Sequence, residues 1–247
     1  MEEWFSRTQR VLGEEAVRRL AASRVAVFGV GGVGGHCAEA MVRSGIGEID
    51  LIDSDRVAPS NLNRQIIATL DTVGMPKVEA ARQRFLSINP ELRVNAWEML
   101  YLPETADRMD FSRYDYVVDA VDTVAAKVEI IVRARACGVP VISCMGAGNK
   151  TDGSRFEVAD LAATSVCPLA RAMRRELRKR GIEHVPVVYS REEPVFRQQE
   201  EGNVPLKGKG PAPGSLAFVP AVAGLLMAGE VVLTLAGFRD APSPKDA

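Results

Sequence analysis

The stretch VAVFGVGGVGG, residues 25–35, constrains this chain more than any other. An apolar, strand-like run ending on Phe28 passes directly into Gly29, Gly31 and Gly34, and the helix-compatible GHCAEAMVRSG follows. Glycines at these spacings let a strand turn tightly into a helix whose first N–H groups face a bound phosphate. A strand, loop and helix joined this way belong to an α/β fold with parallel strands. The loop alone leaves the identity of the phosphate ligand open.

The same alternation continues along the chain. Strand-like runs lie at 24–28, 48–53, 92–99, 114–120 and 139–145, with helical patterns at 33–44, 76–88 and 123–137. Strands separated by helices pair in parallel through right-handed crossovers. The expected fold class is therefore α/β, a doubly wound Rossmann-like and mostly parallel sheet with helices on both faces, which takes its ligand at the carboxyl ends of the strands. A C-terminal extension follows Met145: the turn-rich GAGNKTDGS, an extra strand in RFEVADL, a basic helix at 168–180 and a further strand in HVPVVYS. The Gly-, Pro- and charge-rich segment 196–215 reads as a mobile loop and the tail 239–247 as frayed. A length of 247 residues, 47% hydrophobic, fits one domain over 1–247. The apolar segment 214–238 carries only Glu230 as a charge. Pro220 and its many small residues mark it as a core or dimer-interface helix, with no integral membrane span expected.

A net charge of −1 gives no global pull toward nucleic acid, so any such binding needs a local patch. Cys37, Cys137, Cys144 and Cys167 form no C-x-x-C pair and the N-terminal segment has no apolar signal core, which reads as a reduced, cytoplasmic protein without a zinc site.

The position of Asp53 at the end of the second strand suits a ribose ligand, and a nicotinamide dinucleotide is the first candidate. DSDRVAPSNLNRQ, residues 53–65, does not fit that scheme: it packs Asp53, Asp55, Asn61, Arg64 and Gln65 just outside the sheet, and Lys77 then opens a helix. Arg grips phosphate bidentately and Lys acts as a point charge, so fixed cations beside a glycine loop suit a triphosphate. ATP is favoured over NAD. VVDAVDTVAAK, residues 117–127, ends another strand with Asp119 and Asp122. Asp122 is expected to hold the magnesium that ATP chemistry uses, and Asp119 to cap the helix that follows.

GVGGVG, DSDRVAPSNLNRQ, GMPKVEAA and DAVDTVAAK, in this order and spacing, resemble the adenylating domain of the ubiquitin-activating-enzyme-like superfamily, which includes the ThiF and MoeB proteins. RSGIGEIDLID, the long segment 145–182 and VVYSREEP most resemble its branch of bacterial tRNA threonylcarbamoyladenosine dehydratases. The likeness covers roughly residues 5–237. It implies that Gly29, Gly31, Gly32 and Gly34 form the phosphate loop, that Asp53 and Asp55 lie at the nucleotide, that Asn61, Arg64, Gln65 and Lys77 grip the triphosphate, and that Asp122 is the metal-linked aspartate. Catalysis then falls to Asp122, Arg64 and Lys77. Arg7 matches an arginine that reaches the ATP of a neighbouring subunit, with Arg10 as competitor, which implies a homodimer.

The chemistry implied is ATP-dependent cyclisation of a tRNA nucleoside beside the anticodon. A carboxylate is adenylated, pyrophosphate leaves, and an internal nucleophile closes the ring with net loss of water. A cysteine desulfurase or sulfur acceptor is an implied partner. MoeB- and ThiF-like adenylyltransferases acting on a sulfur-carrier protein carry two C-x-x-C pairs that this chain lacks, which makes theirs the alternative reading. Three cysteines are expected in the core and Cys167 in a loop; His36 and His184 are expected to be packing residues. RAMRRELRKRG supplies the local basic patch for tRNA: Arg171, Arg174, Arg175, Arg178 and Lys179, with Arg180 beside them and Lys207 and Lys209 farther on.

Overall fold

The structure is a computed structural model and describes residues 3–195 and 213–240. Its strands are β1 (Arg24–Phe28), β2 (Glu48–Ile52), β3 (Arg93–Trp97), β4 (Tyr116–Asp119), β5 (Val141–Cys144), β6 (Phe156–Asp160) and β7 (Pro186–Ser190). They form one sheet in the order β3-β2-β1-β4-β5-β7-β6. Every neighbouring pair is parallel except β6 with β7. The chain winds outward from β1 in one direction through β2 and β3, then returns to place β4 on its other side. The crevice at that reversal, between β1 and β4, is where a doubly wound sheet binds ligands.

Seven α-helices accompany the sheet among the described residues: α1 (Ser6–Leu12), α2 (Glu14–Ala22), α3 (Gly34–Ser44), α4 (Lys77–Ile88), α5 (Val124–Ala136), α6 (Pro168–Arg178) and α7 (Phe218–Leu235). β1 shows why its sequence is a continuous apolar run. Val25 and Val27 point into a core shared with Cys37, Met41, Ala223 and Met227, whereas Ala26 and Phe28 point into a second core with Ile130, Ile131, Met173 and Leu177. Both faces are covered, so alternation between polar and apolar residues is lost.

The expected strands and crossover helices are all present, shortened by a residue or more at most ends. α1 and α2 were not expected from the sequence. They are short, are separated by Gly13 at φ +87°, and α2 buries a single stripe of Ala16, Val17 and Leu20. Of the segment read as a loop over 196–215, residues 196–212 lie outside the described residues, as do 241–247 of the tail and the cations Lys207 and Lys209.

The long apolar segment forms α7, which is long and apolar enough to span a membrane by those criteria alone. One of its faces is committed to the fold. A Cβ on Gly224 would lie 2.4 Å from the Val33 carbonyl oxygen and 3.0 Å from the Cys37 nitrogen, so α7 crosses the first turn of α3 almost backbone to backbone. Its other face leaves Phe218 and Leu225 more than half exposed.

Asp50, fully buried on β2, ties the opposite end of the sheet together. It accepts from Arg24 Nε at 3.1 Å and Nη2 at 2.9 Å, from Asn95 at 2.7 Å, from Trp97 Nε1 at 3.1 Å and from the Tyr114 hydroxyl at 2.9 Å. Replacing Asp50 by Ala leaves the largely buried Arg24 with Glu48 as its one remaining carboxylate partner and deprives Trp97 and Tyr114 of their acceptor. Urea unfolding of Asp50→Ala should show a loss of about 3–5 kcal/mol.

Candidate active site at the carboxyl ends of the strands

The turn from β1 into α3 is set by steric necessity at two glycines. Gly29 adopts φ +86°, and a Cβ there would fall 2.7 Å from the Ala120 carbonyl oxygen at the end of β4. At Gly34 a Cβ would fall 1.8 Å from the Gly29 carbonyl oxygen, inside any allowed approach. Gly31 is different: a Cβ there would meet nothing nearer than Gln65 Nε2 at 3.8 Å. Its glycine relieves no clash within the chain. It leaves a cradle in which a ligand can approach the backbone closely. Gly32 faces Pro220 of α7 at 3.3 Å and the Arg64 stem at 3.4 Å from the same construction, so the loop is walled by α7 on one side and by Arg64 on the other.

Asp53 anchors this loop to β2. One carboxylate oxygen accepts from the Val30 N–H at 2.7 Å, the other from the Asp55 N–H at 2.8 Å. Burial raises its pKa, and the charge of Lys77 and these two bonds oppose the rise. Each oxygen keeps a second acceptor position, which suits a ribose hydroxyl. Lys77, the first residue of α4, is buried at 6% exposure, with Nζ 2.7 Å from the exposed carboxylate of Asp55. That pairing gives a buried ammonium a carboxylate partner beside the loop.

The segment between β2 and α4 adds amides and a guanidinium. Arg64 Nη1 donates to the Ser60 carbonyl and to Asn63 Oδ1, both at 2.9 Å. Asn61 Oδ1 accepts from the Ala58 N–H at 2.9 Å, which shapes this turn. Gln65 is buried beside Gly31, and its Oε1 has no hydrogen-bond partner in the structure. An orphaned buried amide oxygen next to a glycine cradle fits a site completed by a ligand.

From the other side of the crevice, Asp122 stands exposed in the turn after β4, its carboxylate accepting only from the Thr123 hydroxyl at 3.2 Å. Among the described residues no three His, Cys, Asp or Glu side chains cluster as a metal cage. An exposed carboxylate with no ion pair among the described residues has the chemistry to share a magnesium ion with phosphates, the way Mg²⁺ is usually bound. Contacts thus join the glycine loop to Asp53, Arg64 and Gln65, and through Asp53 and Asp55 to Lys77, while Asp122 directly follows Val121, whose backbone nitrogen lies 3.1 Å from a Cβ built on Gly29. Arg7 does not join them. It is exposed on α1, and Phe5 just before it packs at Gly45, beyond the far end of α3, an 11-residue helix about 16 Å long.

Several expectations are corrected. Asp119 does not cap α5, whose N-cap position is Thr123; it is fully buried and ion-paired with Lys127. Arg174 is not a free cation of the basic patch. Its Nη1 turns inward to the Leu161 carbonyl at 3.3 Å, the Thr164 carbonyl at 3.0 Å and the Thr164 hydroxyl, tying down the turn before α6. Arg171, Arg175, Arg178 and Lys179 remain exposed and, with Arg174, line a depression of about 460 Å³. Glu176 pairs with Arg175, Lys179 and Arg180 and partly neutralises that face. Cys167 lies in the loop before α6 as expected, but it is buried there, whereas Cys137, expected in the core, is exposed. Burial pushes the Cys144 thiol up to about 12 and that of Cys37 higher still, which leaves both unreactive. His184 is not packed; it is half exposed, with Nδ1 3.3 Å from Asp160.

His36 sits in the first turns of α3, under α7. Burial holds its pKa below the ordinary 6.5, against a hydrogen bond to the backbone of Arg64. A base with a lowered folded-state pKa contributes no penalty above its unfolded value; below it, the unfolded chain takes up a proton that the folded chain resists. Parent stability should therefore fall relative to His36→Gln as the pH drops from about 7.5 to about 5. Urea titrations of the two proteins at each pH would show a parallel pH dependence if His36 were freely solvated.

The same organisation recurs in known proteins. The family model described as the ThiF family matches residues 5–246. The tRNA threonylcarbamoyladenosine dehydratase of Bacillus subtilis is 45% identical over 239 residues, covering 94% of each chain. Its Escherichia coli namesake is 38% identical over 204 residues, 79% of this chain and 76% of that one. The crystal structure of the E. coli enzyme TcdA in complex with ATP superposes with a TM-score of 0.85 at 33% identity, covering 95% of this chain and 94% of the other. With the glycine cradle bordered by Arg64 and Gln65 and tied through Asp53 to Lys77, this chain belongs to the ThiF family.

Proposed function

We propose that this protein catalyses the ATP-dependent dehydration of threonylcarbamoyladenosine next to the anticodon of tRNA, closing a ring through an adenylated carboxylate. The observation that carries this reading is a glycine cradle without internal clash at Gly31, bordered by Arg64 and the orphaned Gln65 amide oxygen and tied through Asp53 and Asp55 to the buried Lys77. It is supported by the 45% identity, over nearly the whole chain, to a relative of that name.

ATP would supply the adenylyl group: the carboxylate oxygen bonds to the α-phosphorus as pyrophosphate leaves, giving an acyl adenylate from which AMP departs when the internal nucleophile closes the ring. The loop N–H groups and the start of α3 would receive the phosphates. Asp53 would fix the ribose. Lys77 and Arg64 offset the negative charge that develops as pyrophosphate departs, an electrostatic contribution that requires no rearrangement because both groups are already held. Asn61 and Gln65 line the phosphate side, and Asp122 would share a magnesium ion with the phosphates. Ring closure needs no thiol, in line with the burial of three of the four cysteines. Arg171, Arg175, Arg178 and Lys179 would receive tRNA phosphates, whereas Arg174 organises the turn beneath them. Arg7 would act on the ATP of a second subunit, and the open apolar face of α7 around Phe218 and Leu225 is the surface we assign to that dimer. A sulfur-transfer partner is an additional expectation of the same reading.

Purified protein with ATP and threonylcarbamoyl-modified tRNA should release pyrophosphate and lower the nucleoside mass by one water. Release with a sulfur-carrier protein ending in Gly-Gly, and none with modified tRNA, would assign the adenylyltransferase alternative. Lys77→Ala should lose about 2–4 kcal/mol of transition-state stabilisation, measured as kcat/KM, as expected for one removed electrostatic donor.

Replacing Arg171, Arg175 and Arg178 together by Ala should weaken tRNA binding and reduce the log–log salt slope by about 0.7–0.9 for each phosphate no longer neutralised, with MgATP affinity unchanged. Arg174→Ala alone should instead lower the melting temperature. Parental affinity and slope in the triple variant would place the tRNA path elsewhere.

A further inference from the structure

Beneath the Asp122 turn lies a group of charged and polar side chains that the chemistry above does not use. Asp119, the last residue of β4, Lys127 on α5 and Ser143 on β5 are all fully buried. Lys127 Nζ donates to Asp119 Oδ2 at 2.9 Å and to Ser143 Oγ at 3.2 Å, and Ser143 Oγ donates to the same Asp119 oxygen at 2.5 Å. The other oxygen, Asp119 Oδ1, accepts from the Val121 N–H at 3.3 Å. Asp119 and Ser143 are register partners across β4 and β5, so the group ties two central strands and a helix together at the crevice end of the sheet.

Stability alone is a poor reason for such a group. Two charges taken wholly out of water lose hydration that their mutual attraction roughly repays, and well-packed apolar residues of similar volume often do as well or better. What the ion pair supplies is fixed geometry. Residues 120–123 hang between two points that Lys127 secures: its ammonium holds Asp119 before the turn, and its backbone N–H donates to the Thr123 carbonyl at 3.0 Å after it. Asp122 lies within that span. Ala120, at its start, is the residue whose carbonyl oxygen forces Gly29 to be glycine. One buried group thus sets the turn carrying Asp122 and the surface against which the phosphate loop rests.

We infer that Asp119, Lys127 and Ser143 are positioning residues that hold Asp122 and the glycine loop in register for adenylation. The inference rests on the reading of the site given above. Its decisive variant is the apolar triple Asp119→Leu, Lys127→Met, Ser143→Ala, compared with the parent in melting temperature, hydrogen exchange at residues 120–123, and kcat and KM for ATP with modified tRNA. The triple variant should melt within a few degrees of the parent, exchange faster at Val121 and Asp122, and lose about 100-fold in kcat, the scale of a 1 Å misplacement of a reacting group. Parental kcat and exchange in a stable triple variant would overturn the inference.

If the triple variant does not fold, Ser143→Ala alone decides. It keeps the ion pair but removes one of the two donors on Asp119 Oδ2, and should speed exchange at Val121 and reduce kcat several-fold at unchanged melting temperature. Unchanged exchange and kcat there would overturn the inference as well. A parent inactive toward modified tRNA would overturn the proposed function only, because faster exchange at 120–123 in the variants tests the positioning role without any turnover.

Discussion

The backbone carbonyl of Gly29 occupies the place where a side chain on residue 34 would have to begin. Only a glycine at 34 permits β1 to pass into α3 so tightly, and only because of that turn do the first N–H groups of α3 face the crevice. The rest of the site is assembled against this turn. β4 presses Ala120 onto Gly29, β2 sends Asp53 across to the Val30 N–H, and α7 lays Pro220 and Gly224 over the loop and the first turn of α3. A single close approach within the backbone therefore determines where three strands and the C-terminal helix must meet.

The cations of the site are held in place by partners of different strength. Lys77 is buried but paired with an exposed carboxylate, so an incoming phosphate competes with a solvated, easily displaced Asp55. Arg64 is held by neutral oxygens of Ser60 and Asn63, a still weaker claim on its charge. Neither cation forms a direct ion pair with a buried acid, although the charge of Lys77 is felt by Asp53, an arrangement that suits a site for a highly charged ligand. The contrast with Asp50 and Arg24 is instructive, because there the acid is saturated by five donors and the group serves the sheet alone.

The C-terminal extension contributes at both ends of its path. Asn149, at φ +57°, accepts Val195 N–H on its carbonyl at 2.7 Å and Gly214 N–H on its side chain at 2.6 Å, while Asn63 donates to the Ser215 carbonyl at 2.9 Å. Residues 213–215 are in this way fastened next to Arg64. α6, by contrast, carries Arg171, Arg175 and Arg178 outward while Arg174 turns inward, with Ala170, Met173 and Leu177 as its buried stripe.

The glycine spacing, the apolar runs of a sheet buried on both faces, the crossover helices and the ordered motifs holding Asp53, Arg64, Lys77 and Asp122 were legible in the sequence because each depends on residues a few positions apart. α1 and α2 were not, since two short helices with one narrow apolar stripe leave little periodicity to detect. The sequence likewise placed six cations within residues 171–180, on and after α6, but could not show that Arg174 turns inward, because its acceptors belong to the turn at Leu161 and Thr164. Asp119 looked like a helix cap for the same reason: its true partners, Lys127 and Ser143, come from a helix and a strand that only meet it in the folded sheet. Spacing along the chain determines local conformation and brings the motif residues to the strand ends. Which charge is free to meet a ligand and which is spent on another side chain is decided by non-local neighbours, and those exist only once the layers have packed.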